Sequence, residues 1–238
     1  EITTIADIPG QGTGLGSSSS VTVGLLNAMH AFQGREVSKE QLAEEACQIE
    51  IDTLGAPIGR QDQYAASFGG VNSIRFGENG VQVEPIEVSE GLSKKLSESF
   101  TLVFTGLTRS ASKVLSEQSD DESDKNSRMR EIRKHADEAA SHIENGDLDS
   151  LGAILNQTWI SKRGVSSMVT NTQIDDLYER VISSGALGAK LLGAGNGGFL
   201  LVCGNRQLRG ILQRELGEGH RMFPLEIDFS GSSIIFGT

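Results

Sequence analysis

Apolar and polar positions along this chain follow two rhythms, a period of two and a period of 3.6, and they trade places often. Residues 1–8 (EITTIADI) alternate in the manner of a half-buried strand already set in a sheet. With no Met at residue 1, further chain is expected ahead of it. PGQGTGLGSSSS follows, then VTVGLLNAMHAF, which predicts a helix starting near Ser17 or Ser18. A second helix is predicted from Ser38 to about Ile51, with Ser38 and Gln41 at the spacing of a capping box. GAPIG at 55–59 reads as a turn, followed by a short helix through 63–67 that Gly69 and Gly70 end. Strands are predicted at 71–76 and 81–88 around a turn at 77–80, and another at 102–105. The acidic run 117–126 predicts a solvated loop. Helices follow at 127–145, 148–161 and 174–184, then two strands at 190–192 and 198–203 joined by 193–197. A helix at 207–216 and strands at 222–229 and 233–236 complete the pattern.

Interleaved strands and helices predict an α/β or α+β fold. A boundary near 88–100 divides the chain into domains at 1–90 and 91–238. Apolar residues are 37% and aromatics only 5%, so the core rests on Leu, Ile, Val and Ala. A formal charge of −11 disfavours nucleic acid and anionic membrane as partners, because phosphates repel it. A local nest of N–H groups with a bound Mg²⁺ can still hold a nucleotide on such a chain. No signal peptide or membrane-length apolar run occurs, and Cys47 and Cys203 have no metal-type spacing. The expectation is a cytoplasmic protein with two free thiols and small-molecule partners; monomer and homodimer both stay open.

Candidate chemistry concentrates in three places. Successive glycines in PGQGTGLGSSSS let backbone N–H groups turn inward, and the following helix points its positive end at the same spot. A ligand-free turn is the plain alternative, but this run ends in four serines at a helix start. No Lys follows Gly16, so it is not a Walker loop, and no glycine triplet has dinucleotide spacing. On the helix 38–51, Leu42, Ala43, Ala46 and Ile49 form an apolar stripe, and Glu50 falls on its side, four residues after Ala46. A carboxylate there is costly unless paired or bound to a cation; a frayed helix end is the alternative. Asp62 stands at the start of the next helix, either as a first-turn acid or as a carboxylate that orients a substrate hydroxyl.

PGQGTGLGSSSS resembles the phosphate loop of the GHMP kinases, GAPIGRQDQYAASFGG their catalytic segment, and LLGAGNGGFLL their C-terminal glycine motif, with Asn196 where glycine is usual. The three stand in family order. The resemblance implies two α+β lobes, one like ribosomal protein S5 domain 2 and one ferredoxin-like, using ATP and Mg²⁺ to phosphorylate a small molecule. It assigns Gly12, Thr13, Gly14, Leu15, Gly16, Ser17, Ser18 and Ser19 to the triphosphate, Ser18 and Glu50 to Mg²⁺, and Asp62 to the acceptor hydroxyl. Gly195, Asn196 and Gly197 would close the site, and Arg109 would hold a substrate phosphate, with Lys113, Lys162 and Arg163 as lesser candidates. The pattern is most similar to the family's sugar branch, so the implied acceptor is a sugar phosphate. The rivals are another sugar kinase of the family, a non-catalytic ligand-binding member, and an inactive partial chain; intact Ser18, Glu50 and Asp62 favour a kinase. The family carries an acidic sugar contact ahead of the segment matching residue 1, so the 238 residues alone are expected to be aggregation-prone and weakly active. Trp159 is expected in the core, and His30, His135, His142 and His220 have no metal spacing.

Overall fold

The computed structural model describes residues 1–5, 13–108 and 122–236. In the first lobe, helices α1 (Ser17–Phe32), α2 (Lys39–Cys47) and α3 (Gln61–Phe68) pack on one another and on a hairpin of β1 (Asn72–Gly77) and β2 (Gly80–Pro85). Ser38 starts α2 by accepting from the Gln41 N–H at 3.1 Å. The reciprocal half of the capping box is not made, because the Gln41 side chain donates to Glu45 instead, at 2.7 Å. Val23 of α1 packs on Leu42 and Ala46. On the far side of α2, Ala43, Cys47 and Tyr64 meet Ile74, Val81 and Val83, which seats the hairpin. Cys47 and Cys203 are both free and buried.

The second lobe runs α4 (Glu90–Ser99), β3 (Phe100–Phe104), α5 (Glu122–Glu144), α6 (Leu148–Arg163), α7 (Thr172–Ser183), β4 (Gly188–Leu191), β5 (Phe199–Cys203), α8 (Leu208–Leu216) and β6 (Met222–Pro224). Its strands lie in the order β4-β5-β3-β6 with every neighbouring pair antiparallel. That is the split β-α-β order of a ferredoxin-like lobe, with several helices filling the first crossover. Strand alternation sorts the two faces. Val103, Leu200 and Val202 pack with Ile174, Leu177 and Leu212 on one side, where Trp159 is fully buried. Phe100, Leu201 and Cys203 pack with Leu96, Leu151 and Ile143 on the other. The fold is α+β, as the pattern predicts.

Several elements depart from expectation, each for a local reason. Helix α4 falls where the pattern predicts only a boundary. Ser89 caps it, accepting from Leu92 N–H at 3.2 Å, and Leu92 and Leu96, one turn apart, supply its buried stripe. Helix α5 begins at Glu122 and absorbs the end of the supposed acidic loop. Acids suit a helix start, and Asp124 pairs with Arg128 at 2.8 Å; the rest of that loop lies outside the described residues. Residues 1–5 form no strand and have no ladder partner among the described residues, and 6–8 lie outside them. The strand predicted at 222–229 stops at Pro224, which has no N–H to extend a ladder, and 233–236 is not a strand.

Past Leu225 the chain leaves the sheet and straps back over the first lobe. Gly70 N–H donates to Asp228 O at 2.6 Å, and Ser232 N–H to Ser67 O at 3.3 Å. Lys39 Nζ donates to Phe68 O at 2.7 Å and to Ser230 O at 3.0 Å, tying the end of α3 to the strap. The approach requires glycine, since a methyl group on Gly69 would lie 2.2 Å from Gly231 N.

Candidate active site

Helix α1 opens on Gly16, which is left-handed at φ 68° and ψ 20°, and no side chain caps the helix. Its first intrahelical bond is Ser20 N–H to Gly16 O, 2.9 Å, so the preceding N–H groups are the orphan donors of a helix start. The Thr13 and Ser17 hydroxyls bond across the turn at 3.2 Å. The result is an uncapped cradle of N–H groups and small hydroxyls at the positive end of a helix, a setting suited to phosphate.

The loop after β4 closes on this cradle backbone to backbone. A methyl group on Gly193 would lie 2.7 Å from Gly14 Cα, and one on Gly198 would lie 2.3 Å from Thr13 O. Lys162 Nζ holds the loop through Leu191 O at 3.2 Å and through Gly193 O. Asn196 is left-handed at φ 59°; its N–H donates to Val169 O at 2.6 Å, and its side-chain oxygen accepts from Asn171 at 2.5 Å. Asn171 is itself the N-cap of α7, so Asn196 pins the loop to that helix. Its side chain does a job that the usual glycine cannot. Arg163 pairs with Asp175 at 3.2 Å and lies over the Tyr178 ring. Lys162 and Arg163 thus brace the second lobe.

Glu50 lies at the end of α2, where the helix widens into one π turn, Gln48–Thr53, with Leu54 N–H bonded to Ile49 O at 2.9 Å. The α-helix predicted to Ile51 therefore ends at Cys47. A π turn adds a residue to the helical path and re-aims the side chains that follow; such turns recur at functional sites. Glu50 lies in this turn at 3% exposure, on the inward side that the helical period predicts. One carboxylate oxygen accepts from Ser18 Oγ at 2.8 Å; the other accepts from Ser19 Oγ at 2.7 Å and Gln63 Nε2 at 2.6 Å. Among the described residues no ion pair reaches Glu50 or Asp62.

Asp62 stands in the first turn of α3, half-buried against Gly16: a methyl group there would lie 3.2 Å from both its Cβ and its Cγ. Burial pushes the Asp62 carboxyl above its ordinary value; the Gln61 amide partly offsets this, and the nearby Glu50 charge adds to it. Ser18, Glu50 and Asp62 thus converge on the start of α1. Gly12, Arg109 and Lys113 lie outside the described residues. Gln63, fully buried against Glu50, was not anticipated. Its only signal in the sequence is a polar residue on the inward face of α3, beside Tyr64 and Ser67.

The donor set fits a magnesium ion. Ser18 Oγ and Glu50 Oε1 are hard oxygens 2.8 Å apart, beside a phosphate cradle. The described residues hold no cluster of three or more His, Cys, Asp or Glu that could cage a metal alone. Mg²⁺ commonly keeps water and phosphate with only one or two protein ligands.

Known proteins match this chain over both lobes. The model of the GHMP kinases N terminal domain matches residues 1–70, and that of the GHMP kinases C terminal domain matches 139–219. D-glycero-alpha-D-manno-heptose 7-phosphate kinase of Campylobacter jejuni is 34% identical over 200 residues, covering 83% of this chain and 59% of that protein. Mevalonate kinase of Aeropyrum pernix is 34% identical over 194 residues, covering 79% of this chain and 56% of that protein. The chain thus spans somewhat over half the length of these relatives. A crystal structure of a D-glycero-D-manno-heptose 1-phosphate kinase from Bacteroides thetaiotaomicron superposes with a TM-score of 0.74 at 24% identity, covering 93% of this chain and 62% of that one, a likeness of fold. With both halves of the family matched in order, one on each lobe, the chain belongs to the GHMP kinase family.

Proposed function

We propose that the protein transfers the γ-phosphoryl of ATP to the anomeric hydroxyl of a sugar phosphate, and that the acceptor is D-glycero-α-D-manno-heptose 7-phosphate. The observation that carries this reading is the convergence at the start of α1: the Ser18–Glu50 oxygen pair and Asp62, packed on Gly16, share one cradle. The relative named for that activity supports the choice of the heptose. A reaction that draws on ATP and Mg²⁺ fits a cytoplasmic setting, which is part of the proposal.

The residues divide the work. The N–H groups at the start of α1 bind the β- and γ-phosphates, and Ser17 and Thr13 line their path. Ser18 and Glu50 would hold Mg²⁺, which when bound neutralises charge on the phosphates. Asp62 accepts the hydrogen bond of the acceptor hydroxyl and takes its proton onto a carboxylate oxygen as the new O–P bond forms and the bond from the γ-phosphorus to the β,γ-bridging oxygen breaks, releasing ADP. Its raised pKa brings it nearer a useful basicity than an exposed aspartate has. The loop of Gly195, Asn196 and Gly197, whose flanking Gly193 and Gly198 pack on Gly14 and Thr13, would close the site from the second lobe and keep water from the γ-phosphoryl. Positioning and charge neutralisation supply most of the acceleration in such transfers.

A substrate panel tests the assignment. The protein is assayed with ATP and heptose 7-phosphate, heptose 1-phosphate, fucose, galactose or mevalonate, and the product is located by ³¹P NMR. The proposal expects the highest kcat/KM on heptose 7-phosphate, with the new phosphate at the anomeric carbon. Turnover confined to mevalonate, or nucleotide binding with no transfer to any of the five, would overturn it; the last result would mark a non-catalytic member of the fold.

A further inference from the structure

We infer that Gln63 and Ser19 are positioning residues that fix Glu50 as a one-oxygen ligand, holding Oε2 away from the metal and leaving Oε1 to face it. This rests on the reading of Ser18 and Glu50 as the Mg²⁺ site, and goes beyond it by naming what aims the carboxylate. A carboxylate has two equivalent oxygens, and a free one can turn to bind a cation through either or both. Here the two are treated differently. Oε2 takes two buried donors, Ser19 Oγ at 2.7 Å and Gln63 Nε2 at 2.6 Å. Oε1 takes only Ser18 Oγ at 2.8 Å, and Ser18 is exposed where Ser19 is 2% exposed. The Ser18 hydroxyl can rotate and present a lone pair to a cation. The bonds to Oε2 need not change when it does.

The geometry at Gln63 argues that this is more than packing. Gln63 is fully buried, and its Oε1 has no hydrogen-bond partner among the described residues. A buried acceptor left alone destabilises a fold. Reversing the amide would set its oxygen against the Glu50 carboxylate, two acceptors face to face. The N–H must therefore point at Glu50, and the unpaired oxygen is the consequence. A leucine or methionine would fill the space with no such cost. The polar side chain is explained by what it does to Glu50. Residues that orient a metal ligand typically change affinity about 10- to 100-fold when removed.

The test uses Gln63→Met, which keeps the volume and removes the donor, and Ser19→Ala, a smaller change on the same oxygen. Mn²⁺ is titrated by electron paramagnetic resonance into each protein with ATP present, and metal-free ATP binding is measured by calorimetry. Thermal unfolding confirms that each variant is folded. The inference expects metal affinity to fall about tenfold or more in both variants, while in Gln63→Met metal-free ATP binding stays within about twofold of the parent. Parent-like Mn²⁺ titrations in folded Gln63→Met, or in Ser19→Ala should Gln63→Met not fold, would overturn it. Equal losses of metal and metal-free nucleotide binding would also overturn it, since packing alone would then explain Gln63. A parent protein that binds no Mn²⁺ with ATP would sink the metal site itself, a result that the variants alone could not produce.

Discussion

Replacing Gly16 with alanine perturbs two things at once, and the structure gives a size for each. Gly16 sits at φ 68°, where a residue with a Cβ costs about 1–2 kcal/mol. For a protein of this length that corresponds to a fall in Tm of roughly 2–8 °C. The new methyl group would lie 3.2 Å from Asp62 Cβ and Cγ, inside the ~3.5–4.0 Å of an ordinary carbon contact. Asp62 must therefore retreat by about 0.3–0.8 Å. If 1 Å of misplacement costs on the order of 10²-fold in rate, this retreat should lower kcat by about 4- to 40-fold. Metal-free ATP affinity should change far less. Steady-state kinetics and a thermal melt measure both. Gly24→Ala is the control: it lies within the same helix with open space around it, so alanine there should stabilise by about 0.5–1 kcal/mol and leave kcat alone. A Gly16→Ala protein with parental kcat, or a Gly24→Ala protein with the same loss, would refute the idea that Gly16 sets the place of Asp62.

Gly193→Ala would press a methyl group to 2.7 Å from Gly14 Cα, so it should part the two loops and weaken ATP binding more than it lowers Tm; calorimetry beside a melt checks this. Asp62 has a folded pKa above its ordinary 3.8, so the folded chain holds that proton more tightly than the unfolded chain does. Its contribution to stability is full below 3.8 and is lost as pH rises through the raised value. Asp62→Asn should therefore melt higher than the parent at neutral pH, with the advantage vanishing in acid, and the acid limb of kcat in the parent should lie above the usual aspartate range. Lys39→Met removes the bond from α2 to the end of α3 and the bond from α2 to the strap, and should cost about 1–3 kcal/mol, with faster proteolysis after Leu225. Unchanged strap proteolysis would mean that the glycine contact of Gly69 and Gly231 holds it unaided.

Much of this site was legible in the residues because its signals are local. Helix periodicity turned Glu50 inward, the glycines and serines marked the start of α1, and the order of three motifs pointed to the family. What stayed hidden depends on contacts made by distant parts of the chain. The π turn that contains Glu50 leaves no mark in QIEIDT, and Gln63 gains its meaning only from a carboxylate 13 residues away. Asn196 looked like a misfit in a glycine loop until Asn171 stood beside it. Helix α4 was short and followed a strand, so its two leucines were too few to register as a period. The last predicted strands failed because the apolar residues of 226–236 are spent on a strap that binds by backbone and glycine rather than by sheet pairing.

The central claim is that Asp62 acts on the acceptor while Ser18 and Glu50 act on the nucleotide. The direct measurement is kcat on heptose 7-phosphate together with the Kd for Mg²⁺–ATP in Asp62→Asn. The account predicts that kcat falls by at least about 10²-fold while Kd stays close to the parental value. A near-parental kcat, or a loss of nucleotide binding that matches the loss of rate, would contradict it.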